Sequence, residues 1–305
     1  MMMTHQTNKQ LSLIQVPFGL GAGRPGTEEG PESIVQAGLL RQIRKTSYEL
    51  VGEYKVRCPL PSSSSSSDGK VKHLPEVIDM SKLVAKQVSQ AIGSGTFPLV
   101  LGGDHSVTIG VLAGVTSHLA NLGVIYFDAH VGLNTEETSR TGHVNGMSLA
   151  VALGIAGLKL SDISGSEALI KKENVVVIGV RDVEPNEREL IVSEGISCFT
   201  MHDIDRMGIE KVIERALAIA GEGTDGIHIS FAADSLDPLE APGVGLPLPG
   251  GLTYREAHFA CELLAESHRI VSIDVVEVNS ALDESRRTAR LAVGLITSLL
   301  GKKII

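Results

Sequence analysis

The chain has 305 residues, of which 43% are hydrophobic and 21% charged, a composition typical of a globular protein with a substantial core. Its formal net charge of −9 argues against a nucleic-acid backbone as the partner. The three cysteines are widely spaced without a CxxC pair, so we expect reduced thiols. No apolar stretch has the character of a signal peptide or membrane span, and we therefore expect a cytoplasmic protein with no membrane partner.

Apolar runs alternate with stretches of helical spacing along the chain. The runs predict strands at 11–16, 48–56, 97–101, 124–127, 175–180, 196–200, 226–231 and 270–276. Helical spacing predicts helices at 31–44, 74–92, 106–122, 208–220, 253–266 and 285–300. Strands that alternate with helices pair in parallel through right-handed crossovers. The pattern predicts a three-layer α/β/α fold around a parallel sheet of about eight strands.

We predict one domain over residues 1–305. A tract of six serines, Ser62–Ser67, continues into Asp68-Gly69 and cannot bury apolar surface. We interpret residues 62–69 as a flexible surface loop, with a linker between two domains as the alternative. A glycine-rich segment at 18–31 lacks the spacing of a dinucleotide or phosphate-binding motif.

Polar side chains that suit a metal ion follow three of the predicted strands. Asp128 and His130 lie two residues apart just after the strand at 124–127, so both can reach one cation. His105 and Asp234 follow the strands at 97–101 and 226–231. The carboxyl ends of parallel strands converge on one crevice, which predicts a common site. The Asp–His pair could instead form a hydrogen-bonded polar plug without a metal.

The sequence resembles the arginases, of the ureohydrolase family, over essentially its whole length. The motifs that carry the resemblance are Gly102-Gly-Asp-His-Ser106, Asp128-Ala-His130, Gly179-Val-Arg-Asp182, Gly250-Gly-Leu-Thr-Tyr-Arg-Glu256 and Glu277-Val-Asn279. The resemblance implies a three-layer α/β fold and a homo-oligomer, a trimer or hexamer. It also implies two Mn²⁺ ions and a bridging hydroxide that split L-arginine into L-ornithine and urea.

The family's metal-ligand positions are only partly kept. Four of six hold the expected ligand: His105, Asp128, His130 and Asp234. The other two, where the family has aspartates, are Gly132 and Ala232. Two carboxylates balance one divalent cation, and two such ions a few ångströms apart with half the counter-charge are strongly unfavourable. We expect at most one divalent metal ion, Zn²⁺ or Mn²⁺.

Other family positions differ in the same pocket. The position of the proton-shuttle His is Asn145, which cannot titrate, and an Asn that helps to hold the substrate's α-carboxylate is His143, a candidate acid–base group. Leu246 replaces a polar side chain near the guanidinium. Glu277 matches the residue that accepts the guanidinium. Asn134, Glu184 and Glu187 match contacts to the amino-acid end of arginine.

Three functions remain open at this point. The first is an arginase-like protein with a broken manganese centre, little or no arginine hydrolysis, and a binding role for an amino-acid or guanidino ligand. The second is an amide or guanidino hydrolase with one metal on Asp128, His130 and Asp234, a ligand set that resembles the zinc site of the histone deacetylase family. The third is an active arginase that tolerates the substitutions.

Overall fold

An eight-stranded parallel sheet forms the centre of the molecule. The computed structural model describes residues 9–61, 70–166 and 169–303, so the predicted loop at 62–69 lies outside the described residues. The strands are β1 (Lys9–Gln15), β2 (Tyr48–Lys55), β3 (Phe97–Leu101), β4 (Leu122–Phe127), β5 (Val175–Val180), β6 (Ser197–Thr200), β7 (Gly226–Ala232) and β8 (Ile270–Val276). Their order across the sheet is β2-β1-β3-β8-β7-β4-β5-β6, and every pair is parallel.

Helices cover both faces of this sheet. They are α1 (Gly30–Gln36), α2 (Leu39–Ile43), α3 (Leu74–Gly93), α4 (Val107–Thr116), α5 (Ser148–Ala152), α6 (Leu160–Ser164), α7 (Pro185–Glu194), α8 (Met201–Met207), α9 (Ile209–Gly221), α10 (Tyr254–Glu266) and α11 (Arg287–Leu299). One apolar core joins the sheet to α1, α2 and α8–α11, and a second joins it to α3–α6. The three-layer α/β/α prediction is confirmed.

Several helices depart from the sequence prediction for local reasons. The predicted helix at 31–44 is two helices, because Gly38 adopts φ 104°, a left-handed conformation that interrupts the first helix. The helix predicted at 106–122 ends at Thr116. Helices α5, α6, α7 and α8 were not predicted. The first two have only five residues each, too short to show a helical period, and α7 and α8 each have a single buried residue and therefore no apolar stripe.

The central strands of the sheet place their carboxyl ends side by side. β3, β8, β7 and β4 are consecutive neighbours, and β5 follows β4. The loops after these strands therefore meet at one edge of the sheet.

Among the described residues, no helix is long and apolar enough to span a membrane.

Candidate metal centre

Five polar side chains meet at the carboxyl ends of the four central strands. His105 follows β3, Glu277 follows β8, and Asp234 lies in a short 3-10 turn after β7. Asp128 and His130 follow β4. All five line one cavity, as the convergence of parallel strands predicts.

Asp128, His130 and Asp234 form a set that fits one metal ion. Their ligand atoms all lie within 4.8 Å of one another. His130 Nδ1 is 3.3 Å from Asp128 Oδ1 and 3.2 Å from Asp234 Oδ2, the spacing expected of ligands that share a cation at about 2.1 Å. Asp234 Oδ1 is buried and has no hydrogen-bond partner among the described residues. A buried carboxylate oxygen without a donor suits a cation-binding role.

His105 is held on both ring nitrogens by protein groups. Its Nδ1 lies 2.8 Å from Asp128 Oδ2, and its Nε2 lies 2.9 Å from Ser230 Oγ. Ser230 donates in turn to Asp274 Oδ1 over 2.7 Å, and His228 Nε2 lies 3.1 Å from the other oxygen of Asp274. Strand register explains this chain, because Ser230 of β7 pairs with Asp274 of β8. The side chain of His105 is therefore fixed from behind by a buried polar network.

The centre is strongly coupled electrostatically. Burial opposes ionisation of Asp128, but hydrogen bonds from His105 and His130 outweigh it and lower the pKa of this carboxyl. Burial likewise opposes the charged imidazoles, yet the carboxylates raise the pKa of His105 to about 9 and that of His130 to about 11. A proton and a metal ion would therefore compete for the same ring nitrogens.

Glu277 occupies a constrained position beside these groups. Its backbone φ is 63°, a left-handed conformation that is uncommon for a residue with a side chain. Its Oε1 accepts hydrogen bonds from His105 N at 2.8 Å and from Asn145 Nδ2 at 3.3 Å. Burial, then the charges of Asp234 and Asp104, raise the pKa of Glu277 to about 8. The carboxyl lines the cavity, and a cation bound beside it would favour its ionised form.

The cavity has a volume of about 630 Å³. Asn134, Glu184 and Glu187 line its wall at the carboxyl ends of β4 and β5. Asn134 donates to Glu184 Oε1 over 3.4 Å. Glu187 already accepts from the backbone N–H groups of Leu133 and Glu184, so its carboxylate also fixes the wall. Its pKa is raised by burial.

Arg181 links the segments around the candidate site, a contact that the sequence interpretation did not single out although the residue lies in a quoted motif. Its guanidinium donates to the backbone carbonyl of Gly179 in β5 and to four carbonyls in the segment after β7, those of Asp234, Ser235, Leu236 and Leu248. Its own backbone N–H donates to Ala129 O. The side chain therefore ties the Asp234 turn to the segment that carries Asp128 and His130.

The comparisons with known proteins agree with this geometry. The sequence profile described as "Arginase family" matches residues 9–301. The chain belongs to the arginase family. It is 44% identical to the arginase of Bacillus caldovelox over 299 residues, 97% of this chain and 100% of that protein. The crystal structure of arginase from Bacillus cereus superposes with a TM-score of 0.91 at 46% identity, covering 97% of this chain and 100% of that one. The native Bacillus caldovelox structure gives 0.93 at 43%, with the same coverage.

Two of the six positions at which arginases carry metal ligands, 132 and 232, are occupied here by Gly132 and Ala232. Gly132 has φ 71°, and a Cβ there would lie 3.3 Å from Ser148 Oγ. Ala232 ends β7 and is fully buried. Neither residue has a side-chain donor for a metal. Of the four ligand-type side chains that remain, Asp128, His130 and Asp234 form the group that could hold one ion, and His105 contacts Asp128.

The remaining arginase substitutions also line the cavity. Asn145 contacts Glu277 through its amide, where the family has an imidazole. His143 lies beside Lys72, with its Nε2 3.3 Å from Lys72 Nζ. Leu246 is 53% exposed on the rim, next to Gly245, whose Cβ would lie 3.8 Å from Glu277 Oε2. The departures from the family thus line the same cavity.

Proposed function

We propose that this arginase-family protein binds one divalent cation, Zn²⁺ or Mn²⁺, and a cationic guanidino or amino-acid ligand, with little or no hydrolysis of L-arginine. The observation that carries the proposal is the asymmetry of the centre. The His130 side keeps three ligand atoms within reach of one ion, whereas the His105 side keeps two that already contact each other.

A second cation has too few ligands on the His105 side. Gly132 and Ala232 contribute no oxygen, and His105 Nδ1 is paired with Asp128 Oδ2 at 2.8 Å. Two carboxylates, Asp128 and Asp234, offset the charge of one divalent ion only. A second ion nearby would meet uncompensated repulsion in a buried environment.

The groups that arginine hydrolysis would need are also altered. Asn145 cannot take up or release a proton, so it can orient Glu277 through its amide but cannot shuttle. Leu246 offers no hydrogen bond to a guanidinium. These substitutions affect proton transfer and substrate orientation separately from the metal, so restoring the metal alone would leave catalysis impaired.

Ligand binding has better support than catalysis. Glu277 is buried, directed into the cavity and able to form a charge-assisted pair with a guanidinium or ammonium. Glu184 and Asn134 supply further oxygen atoms along the wall. The cavity therefore favours a cation of amino-acid size. A homo-oligomer remains a prediction that light scattering would check.

A mononuclear hydrolase acting on an amide or guanidino substrate is the second candidate. It is favoured by the three-ligand set, the number that catalytic zinc sites combine with an open position. When bound, a divalent ion there would lower the pKa of a water ligand. Glu277 would hold the cationic part of the substrate, and His143 would be the nearby group able to exchange a proton.

A direct test measures release of urea and ornithine from L-arginine with added Mn²⁺ or Zn²⁺, alongside L-arginine binding by calorimetry. The proposal expects binding without turnover above that of a Glu277→Gln control, which should also bind L-arginine more weakly. Turnover typical of an arginase in the unmodified chain would refute it. Turnover of amide or guanidino compounds other than arginine would favour the mononuclear hydrolase.

A further inference from the structure

The two oxygens of the Glu277 carboxylate differ in how far protein donors already occupy them. Oε1 accepts from the backbone N–H of His105 at 2.8 Å and from Asn145 Nδ2 at 3.3 Å. A carboxylate oxygen has two lone pairs, so these two donors fill the acceptor capacity of Oε1. Among the described residues, neither side-chain hydrogen bond of Glu277 uses Oε2. Oε2 is therefore the oxygen that remains for a ligand.

The space beside Oε2 is open and bordered by apolar side chains. A Cβ at Gly245 would lie 3.8 Å from Glu277 Oε2, and no other atom outside the adjoining residues lies within 4 Å of that point. The next three residues, Leu246, Pro247 and Leu248, also line the cavity. We call Gly245–Leu248 the apolar wall, because its side chains carry no hydrogen-bond donor or acceptor. Pro247 also lacks a backbone N–H.

The apolar wall is fixed near both of its ends. Just before it, Gly243 O accepts from the backbone N–H of Asn279, two residues after Glu277, over 2.8 Å. At its far end, Leu248 O accepts from Arg181 through Nε at 3.1 Å and through Nη2 at 2.7 Å. The wall is thus tied to the segment that carries Glu277 and to the Arg181 clamp. A ligand beside Oε2 would meet this apolar surface in a defined position.

This environment suits a cation with few N–H groups. An unsubstituted guanidinium carries five N–H donors, which water satisfies when the ligand is free. Beside Glu277 it would find one available carboxylate oxygen, and the side chains of the apolar wall would satisfy none of its remaining donors. Donors that lose water without gaining a partner weaken binding. Methyl groups on one terminal nitrogen remove two donors and add apolar surface that can pack against the wall.

We propose that the preferred ligand carries a guanidinium that is alkylated on one terminal nitrogen, with an N–H on Glu277 Oε2 and the alkyl groups against Leu246 and its neighbours in the apolar wall. The inference rests on the proposed binding function and adds the chemical class of the ligand. Leu246 is then a specificity-determining residue, because a polar side chain there would again favour the unsubstituted guanidinium.

The test compares L-arginine with its asymmetric Nω,Nω-dimethyl form, by calorimetry at one pH and one Mn²⁺ concentration. The two compounds differ only in the methyl groups on one guanidinium nitrogen. The unmodified chain should bind the dimethyl form about threefold to tenfold more tightly, because the methyl groups are buried in part against the wall.

Substitutions at position 246 then assign the preference to the apolar wall. Leu246→Thr adds a hydroxyl and should bring the two affinities to within about twofold of each other, whereas Leu246→Met keeps an apolar surface and should keep the preference. Leu239→Thr makes the same change at an exposed leucine outside the cavity lining, so this matched control should also keep the preference.

The outcomes separate this inference from the function on which it rests. Equal or tighter binding of L-arginine by the unmodified chain would overturn the inference and leave guanidino binding standing. A preference that is unchanged in Leu246→Thr, or lost equally in Leu239→Thr, would contradict the role of Leu246. If neither compound binds the unmodified chain, the proposed function fails and the inference fails with it.

Discussion

The two sides of the candidate metal centre share Asp128 but differ in how far protein groups satisfy their ligand atoms. On one side, His130 is bracketed by Asp128 and Asp234, and one oxygen of Asp234 has no hydrogen-bond partner among the described residues. On the other, His105 is satisfied by Asp128 and Ser230 without a cation. A histidine can keep its position after a metal site is lost when a buried polar network already holds it.

A matched motif does not by itself give the number of ligands at a metal site. His105 lies in an intact family motif, yet Gly132 and Ala232 offer no ligand atom. Asp128, His130 and Asp234 come from two separate segments but form a three-ligand group. Counting donors around each prospective ion is therefore more informative than matching the motif.

The largest expected effect comes from removing a ligand on the complete side. Asp234→Asn keeps the shape of the side chain but removes its charge, so affinity for Mn²⁺ or Zn²⁺ should fall by at least about 100-fold. Asp205→Asn, on the exposed face of α8, is the matched control and should bind normally. Isothermal titration with each metal provides the measurement. Undiminished affinity in Asp234→Asn would show that the ion does not bind on the His130 side.

The converse experiment introduces carboxylates at positions 132 and 232, where this chain has no metal ligand. Gly132→Asp combined with Ala232→Asp adds two carboxylates and should raise the bound metal from one ion per chain to two. The unloaded variant should be less stable, because a left-handed φ costs a non-glycine residue about 1 kcal/mol and the new carboxylates are buried. Catalysis should additionally require Asn145→His. The uncharged pair Gly132→Asn with Ala232→Asn is the control, and a second ion in that variant would contradict the charge argument.

A smaller loss of metal affinity should follow from weakening the hydrogen bonds that Arg181 makes to the Asp234 turn. Arg181→Lys keeps the positive charge but cannot donate to five carbonyls at once, so the Asp234 turn should be less well positioned. We expect a loss of about tenfold in metal affinity with the stoichiometry unchanged. Arg206→Lys on α8 serves as control. If metal affinity is unchanged while thermal stability falls, Arg181 supports the fold and does not position the ligand.

The smallest expected effect concerns Asp237, which lies in the segment after β7, three residues beyond Asp234. Burial opposes ionisation of Asp237, but backbone N–H groups of Leu239, Gly250 and Gly251 lower the pKa of this carboxyl. A lowered pKa contributes stability above the ordinary value near 3.8 that is lost as pH falls through the folded-state value. Because solvent screens this largely exposed carboxylate, Asp237→Asn should lower stability at neutral pH by only a few tenths of a kcal/mol, about 0.5 kcal/mol.

Denaturation at several pH values would measure this effect. The difference between Asp237→Asn and the unmodified chain should shrink as the pH falls below 3.8. A difference that stays constant down to the lowest pH would mean that the charge of Asp237 does not stabilise the loop.

The local sequence predicts more of the fold than of the candidate site. The strands at 97–101, 175–180 and 270–276 were predicted with their observed bounds, because each is an apolar run with sharp polar or glycine boundaries. The convergence of Asp128, His130 and Asp234 followed from strand ends. The clamp by Arg181 and the contact of Lys72 with His143 join segments far apart in sequence, and no periodic pattern encodes them.

The measurement that tests the central claim most directly is metal content by elemental mass spectrometry, made on the purified chain and again after soaking in Mn²⁺ or Zn²⁺. The asymmetry of the centre predicts about one tightly held ion per chain, lost in Asp234→Asn. Two ions per chain in the unmodified protein would contradict the proposed one-ion centre and return it to the dinuclear arginases. No ion under either condition would show that the His130 side is a hydrogen-bonded polar cluster.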